Sequence, residues 1–208
     1  MSRKSPSKPP EVHTVLVVDS ITMWEKLCWD VEQFQDIQRS YPQERQPLAF
    51  ASINVCIAAW SLEQWAKIAW IKKMRSEGKE ASASGFSTLV RQNVPGHGIC
   101  ADVANTSKHA NHRDEDWQGG EVLLEWEDGD EDVPSTFSLR HVGSSNIDRA
   151  SAYDTFEKVR NDWWKFLVSI GLASGPQYSP EFMQNKLRRI FGGRNYELPP
   201  EAKLTEKN

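Results

Sequence analysis

No stretch of this chain is long and apolar enough to span a membrane. The longest run free of charge, Gln46–Leu62, has 17 residues and includes Ser52, Asn54 and Ser61, short of the roughly 20 apolar residues that a span requires. Cysteine is scarce. Cys28, Cys56 and Cys100 form an odd set without framework spacing, which excludes a disulfide scaffold and argues for free thiols in a reducing compartment. The first ten residues are polar, basic and proline-rich, and Val15–Val18 is too short for the apolar core of a signal peptide. A cytoplasmic protein is the expectation.

Lysine and arginine are absent from residues 114–136, which hold ten acidic residues. The whole chain sets 25 Lys and Arg against 29 Asp and Glu, a net charge of -4. That balance makes no general case for nucleic acid or a membrane surface. Outside the acidic stretch the 25 cations face only 19 anions, so the chain is bipolar rather than uniformly acidic. At 208 residues it is long enough for one sizeable core. Nine tryptophans point to a core built from large rings, each of which buries much apolar area.

The pattern predicts a mainly α fold, a helical bundle with an inserted β-hairpin. Residues 1–12 read as a disordered leader, 13–192 as one domain, and 193–208 as a C-terminal tail. Asp19 or Ser20 caps a first helix, whose stripe is Trp24, Leu27, Cys28, Val31 and Phe34. A second helix runs from about Pro47 to Arg75. Its Trp60, Trp65 and Trp70 are five apart and turned about 140° from one another, which predicts a central helix buried nearly all round. Phe86–Val94 reads as a short helix stopped by Pro95.

Glu121–Glu127, except at Leu123, and Phe137–His141 alternate in polarity, which predicts a hairpin over about 121–142. Its turn carries Asp128, Asp130 and Asp132, which read either as a calcium loop or as a solvated tip. Asn146 or Asp148 caps a long helix with the stripe Ala152, Phe156, Val159, Trp163, Phe166, Leu167 and Ile170. A last short helix follows Ser179-Pro180 and ends in a basic run at Lys186, Arg188, Arg189 and Arg194.

The candidate site lies in Gly98–His112, read as a helix opened by Pro95-Gly96-His97-Gly98. Asp102, Asn105, His109 and His112 fall within an arc of roughly 80°, at the margin of its apolar face. In an acid–base reading His109 carries the proton, Asp102 or Asn105 fixes its tautomer, and Lys108 offers charge to a phosphate. The amides near His97 and Gly98 suit an anion. A zinc set of His97, Cys100, His109 and His112 is the metal alternative, and hydrogen bonding to neighbouring loops is the structural one. No cofactor is expected.

A bundle with a D-x-x-N-x-x-K-H element late in a long helix resembles the HEPN-like bundles (higher eukaryotes and prokaryotes nucleotide-binding). It is also similar to uncharacterised bacterial and phage proteins with an A-N-x-x-K-H segment. The resemblance implies a metal-independent RNase of a toxin or defence type, with Asn105 and His109 in the polar and histidine positions. Ala104 stands where the family's arginine would precede Asn105. RNA or a nucleotide is the implied ligand. The competing class is a non-catalytic protein-binding or assembly module, pairing through its Trp-rich faces with a second copy or another protein.

Overall fold

The computed structural model describes residues 11–40, 44–109, 121–132, 135–142 and 149–191. Seven helices and three strands follow one another among them: α1 (Glu11–Thr14), α2 (Ser20–Ser40), α3 (Arg45–Ser76), α4 (Ala83–Asn93), α5 (His97–His109), β1 (Glu121–Glu127), β2 (Thr136–Val142), β3 (Arg149–Ser151), α6 (Ala152–Ser169) and α7 (Glu181–Phe191). The mainly α bundle with an inserted hairpin is the architecture observed. Residues 1–10, the acidic segment 113–120 and the tail 193–208 lie outside the described residues. Glu11 and Val12, expected in the leader, belong to α1.

Helix α2 starts where its cap requires. The Thr22 N–H donates to Asp19 Oδ1 at 2.8 Å, while Thr22 Oγ1 accepts from the Asp19 N–H at 3.1 Å. This reciprocal bonding satisfies donors that the first turn leaves without partners. Trp24, Leu27, Val31 and Phe34 are all fully buried, the stripe their spacing predicts. The Trp24 indole lies 4.6 Å from that of Trp164 and donates to the Arg160 carbonyl at 3.0 Å. Phe34 meets Phe156 edge to face. Helices α2 and α6 thus lock ring against ring.

Helix α3 is the longest element at 32 residues, about 48 Å at the usual rise. Its inner face, with Leu48, Val55, Ala59, Leu62 and Ala66, is buried. The expectation of burial all round is corrected by the rest of it. Phe50 is 58% and Ile68 70% exposed, and Trp60, Trp65 and Trp70 are only half-buried. One long side of α3 faces solvent.

Helix α4 is capped by Ser82, whose hydroxyl accepts from the Gly85 N–H at 3.0 Å. The turn into α5 presses against α6 at Gly96. A Cβ there would stand 2.7 Å from Val159 Cγ2, so only glycine lets the turn approach so closely.

The hairpin lies within the predicted 121–142. Strands β1 and β2 pair antiparallel, with Leu124 opposite Leu139 and Trp126 opposite Phe137. The Trp126 and Phe137 rings meet edge to face at 5.2 Å, and Leu139 is fully buried. A short third strand, β3, was not predicted. It pairs with the other edge of β2 and leads directly into α6. Helix α6 therefore begins later than Asn146 or Asp148 would place it, and both of those residues lie outside the described ones. Phe156, Val159, Trp163 and Leu167 form its buried stripe.

Residues from Tyr178 onward belong to a second compact unit. Within it Pro180 precedes α7, and its carbonyl accepts from the N–H groups of Met183 and Gln184. Among the described residues no helix is long and apolar enough to cross a membrane.

Candidate functional site

The predicted site residues are divided by α5 into two sets. His97 and Cys100 turn inward and are buried. Asp102 and Asn105 are half-buried and Lys108 is exposed. Gly98 lies in the first turn with open space where a Cβ would sit. His109 is the last residue of α5. Its side chain, and the whole of His112, lie outside the described residues. The α5 helix starts at His97, one residue earlier than predicted, because the Pro95-Gly96 turn already closes there.

His97 is 2% exposed. Its Nε2 lies 2.7 Å from Glu63 Oε2 on α3, and the Trp163 indole N–H of α6 points to its Nδ1 at 3.4 Å. An N–H aimed at Nδ1 leaves Nε2 as the protonated nitrogen, donating to the carboxylate. The other Glu63 oxygen accepts from the Ser87 hydroxyl of α4 at 2.7 Å. One chain of hydrogen bonds therefore joins α4, α3, α5 and α6. Burial pushes the Glu63 carboxyl up. The bond from His97, with the Ser87 bond and the Lys67 charge, outweighs it and holds the group below its ordinary value.

Both ring nitrogens of His97 are thus engaged within the protein. Cys100 meets Cys56 of α3 across the same seam, and both thiols are fully buried. Their hydrogen bond, followed by burial, pushes the Cys56 thiol well above the ordinary range. Among the described residues no three His, Cys, Asp or Glu side chains gather closely enough to hold a metal ion. That holds also for the hairpin turn, where Asp128 accepts from the Trp126 indole and Asp130 accepts from the Asp132 N–H.

Lys108 sits over Trp60 of α3, its Nζ 3.3 Å from the ring centroid. Burial of the ammonium lowers its pKa, while the ring face favours the charged form. The cation proposed for a phosphate already has an aromatic partner.

Glu63, Ser87 and Trp163 were missed as members of one network. A signal for Glu63 does exist: it ends the charge-free run of α3 and is followed by more apolar residues. A carboxylate at such a position needs a donor. Its sequence alone does not say that the donor is His97, 34 residues away.

No family model, no curated protein and no solved structure matches this chain.

Proposed function

We propose that the chain is a non-catalytic protein-binding or assembly module working through the outer face of α2 and α3. The observation that carries this is a set of large apolar side chains left in solvent there. Trp29 of α2 and Phe50 of α3 are 44% and 58% exposed, and both line a cavity of about 340 Å³ together with Ile37, Pro47 and the polar Asp30, Gln33 and Asn54. Further along α3, Ile68 and Trp65 line a second cavity of about 510 Å³ with Val18. Scattered apolar residues are ordinary on a surface, whereas clustered ones mark interaction sites. The polar candidates point the same way, since His97 is enclosed and Lys108 rests on Trp60.

The test places a photo-crosslinking amino acid at Phe50, and separately at Asn105, in cells expressing the chain. Protein cross-links from position 50 are expected, with none to nucleic acid from position 105. Nucleic acid captured at 105 with nothing at 50 would reverse the assignment.

A second reading keeps a HEPN-like, metal-independent RNase with His109 as its acid–base residue. The half-buried placement of Asp102 and Asn105, one turn apart on α5, favours it. Incubating the purified protein with labelled RNA and a chelator, beside His109→Ala, decides it. Cleavage that the variant loses supports an RNase, and its absence in both removes one.

A further inference from the structure

We infer that the partner on the outer face of α3 is a second copy of this chain, with the two α3 helices antiparallel. The inference rests on the assembly reading above and adds the occupant and its register. Phe50, Asn54, Ile57, Ser61, Gln64 and Ile68 follow one another at steps of four, three, four, three and four. That is a 3.5-residue period, the seam of a two-helix coiled coil. None of the six is buried, and Phe50, Asn54 and Ile68 are exposed. The seam therefore runs along the side of α3 that the bundle leaves uncovered.

The seam is symmetric about the level of Ala59. Phe50 and Ile68 are equally distant from that level, as are Asn54 and Gln64, and Ile57 and Ser61. A two-fold axis crossing α3 there sets Phe50 against Ile68 of the second copy at both ends. It sets Asn54 against Gln64, two amides that can bond each other, nearer the middle. Such an isologous interface closes at two copies.

Charge selects this direction over the parallel one. Lys67, Lys72, Lys73 and Arg75 gather in the last third of α3, while its start carries one charge of each sign, Glu44 and Arg45. Parallel helices would bring two basic ends together. Antiparallel ones keep the two basic ends apart, set each beside the charge-balanced start of the other copy, and oppose the two helix dipoles.

The area suffices. The seam from Phe50 to Ile68 is about 27 Å long and, with the α2 edge at Trp29, roughly 20 Å wide. That gives about 500 Å² per copy and about 1,000 Å² in all, the lower bound for a specific interface. An association in the micromolar range is expected.

Sedimentation velocity at tens of micromolar should give twice the 23.7 kDa of one chain. Phe50→Glu and Ile68→Glu should each weaken the pair about tenfold or more with unchanged circular dichroism, since both side chains already face solvent. Register is read by cysteine pairing under mild oxidation. The double variant Asn54→Cys/Gln64→Cys should form disulfide-linked dimers. Asn54→Cys alone should form none, because the two copies of position 54 would stand about 15 Å apart. A monomer at these concentrations, or a dimer linked by Asn54→Cys alone, overturns the proposal. A monomer whose position 50 cross-links to a different protein removes the second copy and leaves the assembly reading standing. Absence of any cross-link from position 50 removes both.

Discussion

The imidazole of His97 and the carboxylate of Glu63 meet at 2.7 Å in the core, and each is the other's nearest charged or chargeable partner there. Removing one leaves the other stranded in a medium that solvates it poorly. His97→Ala should therefore cost about 3 kcal/mol of stability. Glu63→Gln, which retains an acceptor for Ser87, should cost nearer 1 kcal/mol. Urea unfolding of both variants measures the difference. Equal losses would show that the pair adds nothing beyond its packing.

The same pair sets an acid limit. Glu63 is held below its ordinary value of 4.5 in the folded state, so folding favours the ionised form. Its contribution is complete above about pH 4.5 and is lost as pH falls through the lowered folded value. Stability of the wild type should decline in that acid window, and Glu63→Gln should flatten the decline. Denaturation midpoints taken between pH 3 and pH 6 on both proteins test this.

Gly96 should tolerate no side chain while Val159 is present. Its would-be Cβ falls 2.7 Å from Val159 Cγ2, so Gly96→Ala should cost about 1–3 kcal/mol by overpacking. Val159→Ala alone should also destabilise, by leaving a cavity. Together the two changes should cost less than their sum, and a double-mutant cycle gives the coupling.

Lys108 and Trp60 should be coupled weakly but measurably. Lys108→Met keeps most of the stem and removes the cation, at an expected cost of about 0.5–1 kcal/mol. In a Trp60→Leu background the same change should cost close to nothing. If Lys108→Met instead costs the same in both backgrounds, the ring contact contributes nothing in solution.

Much of the fold was legible because the inward faces of α2 and α6 repeat at helical spacing and the hairpin alternates. Strand β3 was not, since Arg149–Ser151 is three residues long and too short to show a period. The face of α3 was misjudged for a different reason. Three tryptophans in three directions describe apolar character all round, but they do not say whether the bundle or another molecule covers each side. Phe50 and Ile68 are as apolar as Leu48 and Leu62. Only the positions of α2 and α5 separate the two sets. Within the candidate site, helical spacing places Asp102 and Asn105 about one turn apart on α5, and both are half-buried. It separated neither His97, turned into the core, nor Lys108, drawn onto Trp60, from the residues around them. Both placements depend on α3, which lies far away in sequence.

The Ser87 hydroxyl that reaches Glu63 has a consequence for the way the bundle comes apart. Helix α4 has only 11 residues, too few to persist alone in water. Its anchor belongs to a bond chain that also includes α3, α5 and α6. A local opening that frees α4 takes the Ser87 donor from the buried Glu63 carboxylate, so fraying there carries a cost set inside the core. Amide protons of α4 around Val90 should then exchange on the same slow clock as those of α3 around Leu62. The smallest internal helix of the bundle would behave kinetically as part of its longest one.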